Sequence, residues 1–475
     1  MKKPQLTGRI ITPTDPGWEE ARIGFARWAD YDQNIPVKIV FCQDTCDVQN
    51  AVRYARENSI PFRVRAGRHN YEAFSSLVEG GVIIDVSEMQ SVKADAASAV
   101  AEIGAGIYML EMFDQLGEVG LTLPGATGPS VGLGGLVLGG GFGVTTRKLG
   151  LMCDLLTNVE LVNADGDVVN ANKDENPDLF WACRGGGGGN FGVATKFTFD
   201  CYRPSLVAIF TVEWPWESLE TVVDTWQRWG PTSDNDVSTF LTLLPVDHVK
   251  MRAPSTPGTV QMHGQFTPDS PADLAKAQTL LMPLLAAAPP MGIQFKVVPE
   301  QIAARIFCSS DPQSPTWFVD PHSDNQIYKS TSAFVVEPFP KDAISALKMH
   351  LDAVPELSCT PSQPSMVQLL GGGGVPSKVK PTDTAVFYRD TQFVIQYDGY
   401  WTAPEDGAKT IKWVIDFRND MSKYTKGAYV NYSDSSLKDP LRMYYGGNLE
   451  RLVEVKAKYD PDNVFNFPQS IPTSL

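Results

Sequence analysis

In RVRAGRHNYEAFSSL, residues 63–77, a strand-like run ends at Gly67, and Arg68, His69 and Asn70 follow in a row. His69 is one of five histidines in 475 residues. A neutral imidazole can serve as nucleophile, proton carrier or ligand, although a solitary histidine is more often a packed residue. The other four, His248, His263, His322 and His350, are too dispersed to join it in a metal site. Glycines give the second chemical signal, clustering at 125–143 (GATGPSVGLGGLVLGGGFG), 184–192 (RGGGGGNFG) and 371–374 (GGGG). Glycine this dense costs backbone entropy, so its usual reason is close backbone approach or angles no other residue tolerates. The first cluster is apolar apart from its hydroxyls and rich in amide N–H groups, which suits a pyrophosphate held without a fixed positive charge.

One glycine pattern misleads. Gly187, Gly189 and Gly192 match G-x-G-x-x-G, and Glu213 lies about 20 residues on, as in nicotinamide-binding crossovers. That motif must open a helix. Here VATKFTFDCYRP follows, β-branched, aromatic and ended by proline, so a strand is predicted and a Rossmann nicotinamide enzyme is rejected.

The elements that must position these residues begin as an α+β fold. PVKIVFCQ, IPFRVRAG, GGVIIDVS and AVAEIGAG read as strands, and IYMLEMFDQLGEVG reads as a helix. DTCDVQNAVRYARENS sets Val48, Ala51, Val52 and Ala55 on one helical face behind an Asp44/Thr45 cap. Asp165-Gly166, between two β-branched runs, predicts a hairpin. Past Pro204 the strands lengthen: VAIFTVEW, VSTFLTLLPV, GTVQMHGQFT, TSAFVVEPF and DTQFVIQYDGYW alternate with helices such as SPADLAKAQTLLMPLLAAA. An antiparallel sheet with helices on one side fits, with Trp214, Trp216, Phe334, Tyr397 and Trp401 mostly in its core. NLERLVEVKAKYDPDNVF returns to helical patterning.

At 475 residues the chain exceeds what one core usually supports, so two or more domains are expected. A net charge of −15, with no Lys/Arg run, argues against nucleic-acid and membrane partners. The first residues hold no apolar stretch of signal-peptide length and no segment approaches a bilayer span, so a cytoplasmic location is expected. Seven cysteines, at 42, 46, 153, 183, 201, 308 and 359, form no disulfide pattern and read as small buried thiols.

Four segments resemble the signatures of FAD-linked oxidases of the berberine bridge enzyme type, within the vanillyl alcohol oxidase/PCMH superfamily. RVRAGRHNYEAFSS resembles R-x-G-G-H-x-Y-x-G-x-S, and GPSVGLGGLVLGGGFGVTTRKLGLMCDLL resembles the FAD-binding segment. NPDLFWACRGGGGGNFGVAT resembles the next signature, and GAYVNYSDSSL with YYGGNLERLVEVKAKYDPDNVFNFPQSIP resembles the C-terminal one. The four run in the family's order over nearly the whole chain. The resemblance implies a PCMH-type FAD-binding domain of two α/β subdomains over 30–206, a substrate-binding domain with an antiparallel sheet backed by helices over 207–444, and a segment over 445–475 returning to the first domain.

The same resemblance places His69 at the histidine bonded to the flavin 8α-methyl carbon, with Gly67 letting the backbone turn close to the ring edge. Arg65, Arg68, Asn70, Tyr71 and Ser75 are implied FAD contacts. Arg68 stands at the family's second glycine, where its φ must be negative or tolerated and its charge must meet solvent or a phosphate. From the second segment Gly128, Ser130, Val131, Gly134 and Gly135 are implied contacts, as are Gly139, Gly140, Gly141 and Gly143. The third contributes Asn190, Gly192 and Val193, and the fourth Asn431. Relatives with a second covalent bond carry a cysteine where Gly128 aligns, and Cys153 lies far downstream, so FAD bonded through His69 only is expected, with a mild preference for a smaller substrate. Val131 falls where relatives control oxygen access to the flavin, and valine there goes with oxidases.

Tyr432, in YVNY, matches a tyrosine that serves as base in carbohydrate-oxidising relatives. Its ordinary pKa of about 10 would need lowering by a neighbour. Strand alternation would send Tyr429 and Asn431 to one face and Tyr432 to the other, while Gln396 and Tyr400 are pocket candidates. The implied activity is removal of hydride from a hydroxyl-bearing carbon of a small alcohol, sugar or secondary metabolite, with O2 reduced to H2O2. Dehydrogenase, amine oxidase, oxidative cyclase and non-catalytic ligand carrier are the alternatives.

Overall fold

Three sheets organise the chain. The computed structural model describes residues 5–27, 31–246, 257–308, 327–356, 358, 359 and 364–475; His248, His322 and position 30, the expected start of the first domain, lie outside them. The first sheet has the order Arg9–Ile11, Lys38–Phe41, Val82–Asp85, Phe62–Arg65, the last three parallel. Helix Thr45–Glu57 makes the crossover between Lys38–Phe41 and Phe62–Arg65, and the Asp44 side chain caps it by accepting from Asp47 N at 3.0 Å. The second sheet is antiparallel, ordered Val92–Asp95, Val100–Gly104, Val193–Asp200, Leu156–Val162, Val168–Asn172. Gly166, at φ 78°, turns the hairpin between its last two strands. The segment after Gly192 is therefore a central strand, not a helix.

The third sheet holds seven antiparallel strands, ordered Gly292–Pro299, Leu206–Pro215, Pro257–Phe266, Val237–Val246, Met366–Gly371, Phe393–Tyr400, Tyr328–Val335. Helices Leu219–Trp229, Lys276–Ala287, Lys341–Asp352 and Pro404–Met421 build a core against one face. Alternation decides what the other face presents. Along Phe393–Tyr400, Phe393, Ile395 and Tyr397 enter the helix-covered core, so Gln396, Asp398 and Tyr400 point the opposite way. Trp214, Trp216, Phe334, Tyr397 and Trp401 are all buried.

The first core gathers residues from both small sheets, then Ala385, Val386, Ala428, Leu437 and the tail helix Leu449–Tyr459. Ala385 and Val386 thus reach this core from inside the expected substrate-binding segment, as do residues from 428 on. All seven cysteines are free thiols; Cys46 is exposed and Cys201 and Cys359 are partly exposed, unlike the other four.

Candidate active site

Between the small sheets and the open face of the large one lies a cavity of about 500 Å³. Its floor starts at Arg65, the last residue of a parallel strand, whose Nε donates to Asp85 Oδ2 on the neighbouring strand at 2.7 Å. Both side chains are fully buried. Burial brings Arg65 down to about 10, while Asp85, which burial alone would raise, is held below its ordinary value by Arg65 and Arg68.

The turn that follows explains Gly67. A Cβ there would lie 2.1 Å from Gly132 N, so the glycine serves the contact of two backbone segments. Arg68 takes the left-handed φ of 63° that a glycine would adopt without strain, so the positive angle is tolerated here, and its side chain is buried at the cavity wall with Nε 3.7 Å from Asp85 Oδ2. Asn70 Oδ1 accepts from Glu72 N at 3.1 Å and Phe74 N at 2.9 Å, so it shapes the loop that presents Tyr71 and Ser75 to the cavity.

His69 faces the cavity but is otherwise enclosed. Desolvation lowers its pKa to about 4, so the imidazole is neutral. Nε2 lies 2.8 Å from Ser130 Oγ, and the Phe25 ring stacks on the imidazole at 4.1 Å. Ser130 therefore acts behind the histidine and does not line the cavity.

The glycine clusters divide. Gly128, Val131, Gly134, Gly135 and Asn190 line the cavity, together with Gly187, Gly188 and Gly189. Gly139, Gly140, Gly141, Gly143, Gly192 and Val193 do not line it. A Cβ on Gly139 would meet Asn431 Oδ1 at 2.1 Å, and Gly141 N donates to Tyr429 Oη at 3.0 Å, so this stretch packs against the C-terminal segment. Gly140 has φ 122°, a Cβ on Gly143 would meet Gly125 O at 2.0 Å, and one on Gly192 would meet Val162 O at 2.8 Å; Val193 opens a buried strand. The GGGG cluster wraps Arg147, whose guanidinium donates to Gly372 O and, at 2.7 Å, to Val237 O. It joins the two cores and lies away from the cavity. Cys153, buried in the turn Met152–Leu155, also lies away from it.

Residues 429–432 form a turn, with Tyr432 N donating to Tyr429 O at 2.9 Å. The expected two-faced strand is absent here, and the four residues gather at one site. Asn431 Nδ2 donates to Tyr429 Oη at 2.8 Å and Leu136 O at 3.0 Å. The Tyr432 ring meets Tyr429 edge-on at 5.1 Å and stacks on Tyr71 at 5.1 Å. Burial first, then Tyr429 and Asp398, push the Tyr432 pKa up, the reverse of what a tyrosine base needs.

Asp398 was not singled out from sequence. It is the sole carboxylate lining the cavity among the described residues, and is 1% exposed. Oδ1 accepts from Ser330 Oγ at 2.6 Å and Gln396 Nε2 at 2.9 Å, while buried Oδ2 has no partner among the described residues. Burial raises its pKa to about 6 despite those two bonds. Gln396 Nε2 also reaches Tyr71 Oη at 3.3 Å, and Tyr328, cross-strand from Tyr400, adds to the same wall a second buried oxygen with no partner among the described residues.

These walls fit FAD. A Cβ on Gly135 would meet nothing within 4 Å, so the bare backbone there leaves cavity space open where packing does not demand glycine. Glycine amides and one neutral histidine are the donor set for a pyrophosphate and a flavin.

Residues 36–172 match the model of the FAD binding domain, and residues 428–472 that of the berberine and berberine like family. The chain is 38% identical over 480 residues to the FAD-linked oxidoreductase YgaK of Bacillus subtilis (strain 168), covering 99% of this chain and 98% of that one. It is 30% identical over 460 residues, 90% and 82% of the two chains, to the monolignol oxidoreductase AtBBE-like 13 of Arabidopsis thaliana. Physcomitrella patens BBE-like 1 superposes with a TM-score of 0.86 over 98% of this chain and 97% of that one, at 27% identity. The chain belongs to the berberine bridge enzyme-like family of FAD-linked oxidoreductases.

Proposed function

We propose that the protein is an oxidase of a small alcohol, with FAD attached through His69 alone and Asp398 as the base. FAD, when bound, supplies the hydride acceptor and returns the electrons to dioxygen. The observation that carries the reading is the unpartnered Oδ2 of Asp398 on the cavity wall. A substrate hydroxyl donating to it would satisfy a buried acceptor and surrender its proton as hydride leaves the adjoining carbon. Ser330 and Gln396 hold the other carboxylate oxygen, which fixes the direction in which Oδ2 can accept. Tyr432 remains a phenol and serves as a hydrogen-bond donor.

The substrate wall is aromatic. Tyr71, Tyr328 and Tyr400 line it beside Phe25 and Tyr432, which favours a planar, uncharged alcohol, and the Arabidopsis relative is named for a monolignol. The nearby cations Arg65, Arg68 and Lys329 face the buried carboxylates Asp85, Glu72 and Asp434. Val131 on the cavity wall supports oxygen as the electron acceptor. Aerobic turnover with an oxidisable alcohol should yield one H2O2 per carbonyl formed. Product without peroxide, dependent on an added dye, would make the protein a dehydrogenase instead.

A further inference from the structure

We infer that Phe25, on the arm that precedes the FAD-binding domain, is a positioning residue for flavin attachment: with Ser130 it fixes the His69 ring so that Nδ1 is the nitrogen that bonds. The inference rests on the attachment proposed above.

The arm is tied to the attachment loop at several points. Ala21 O accepts from Arg65 Nη2 at 2.8 Å, and Phe25 N donates to Arg68 O at 2.9 Å. Tyr31 Oη accepts from Gly24 N at 3.0 Å and donates to Ala26 O at 3.1 Å, closing the arm around Phe25. The Phe25 ring then lies on the imidazole at 4.1 Å with 23° between planes, while it meets Tyr328 of the large sheet at 5.7 Å. This region lies outside residues 36–172, the matched FAD-binding region.

A histidine's χ2 is a broad, roughly two-fold torsion, so the residue itself does not choose which nitrogen faces the cavity. Two contacts choose here. Ser130 Oγ holds Nε2 at 2.8 Å, and with the hydrogen on Nε2 the lone pair sits on Nδ1. The Phe25 face opposes tilting of the ring out of that orientation. Attachment then replaces one C–H bond of the 8-methyl group by a C–N bond to Nδ1. Two electrons and two protons, one proton from the methyl group and one from the imidazole, leave through the flavin to dioxygen as H2O2.

The test incubates flavin-free wild-type protein and variants with FAD in air. Total bound flavin is read from the native spectrum, and adduct from the intact mass after acid denaturation. Phe25→Ala and Phe25→Leu should bind FAD but form adduct about 10- to 100-fold more slowly, and Phe25→Tyr should restore the wild-type rate. The Leu variant keeps apolar volume without a ring, so a folding defect in Phe25→Ala would not hide the effect. Adduct formation at the wild-type rate in Phe25→Leu would overturn the assignment. Adduct retained in His69→Ala, or none in the wild type, would instead sink the attachment reading on which it depends.

Discussion

At the residue scale the proposed base is Asp398, and its burial makes the pH dependence explicit. The carboxylate accepts a proton only when ionised, and its pKa is raised to about 6. We therefore expect kcat/KM to rise with pH through about 6 and level off above it; a profile flat down to pH 4.5 would remove Asp398 as the base. Tyr432→Phe should cost less than about tenfold in kcat, the order of one neutral hydrogen bond, because a phenol whose pKa is raised is not ionised at neutral pH. A far larger loss would return the base to Tyr432. Asp398 could not be read from VIQYDGY: alternation groups it with Gln396 and Tyr400, but which face meets a cofactor depends on where the helices pack. For His69 the signal was the resemblance of RVRAGRHNYEAFSS to the family signature, since the residue alone reads as a packed histidine; the structure puts it at the cavity wall.

Among the elements, the regular ones and the Asp165-Gly166 hairpin were legible, and the turn at 429–432 was not. Helix Thr45–Glu57 showed both its apolar face and its Asp44 cap in the sequence. Residues 429–432 read as an alternating strand, yet the hydrogen bond from Tyr432 N to Tyr429 O makes them a turn and brings both tyrosines to one site. Gly67 illustrates the difference between a motif and its cause. The glycine is required by the Gly132 backbone, so Gly67→Ala should destabilise the fold by about 1–3 kcal/mol through overpacking, measured by urea unfolding, and should slow adduct formation at His69. Unchanged stability would show that the two segments can separate without cost.

For the whole molecule, the decisive feature is how the two cores are held across the cavity. Lys329 on the large sheet pairs with Glu72 of the His69 loop and, at 2.8 Å, with Asp434 of the C-terminal segment, all three nearly or fully buried. Burial would lower the Lys329 pKa, but Glu72 and Asp434 raise it and keep the ammonium charged. Lys329→Met should cost about 3–5 kcal/mol by leaving two buried carboxylates uncompensated. The deficit should shrink as the pH falls and those carboxylates protonate; a deficit independent of pH would mean that lost packing, not charge, is responsible. No local pattern reveals such a clip, since its three members lie in segments far apart in sequence. The change in texture at Pro204 was visible, whereas the entry of Ala385, Val386 and Ala428 into the first core was not, because it is made by segments without a long regular element.

The most direct test mixes oxidised enzyme anaerobically with a panel of benzylic, allylic and sugar alcohols and follows loss of the flavin absorbance, comparing wild type with Asp398→Asn. We expect one alcohol class to bleach the wild-type flavin rapidly and the variant to do so about 10²–10⁴-fold more slowly, with FAD content unchanged. Bleaching of Asp398→Asn at the wild-type rate, or reduction of the wild type by amines and by no alcohol, would contradict the account.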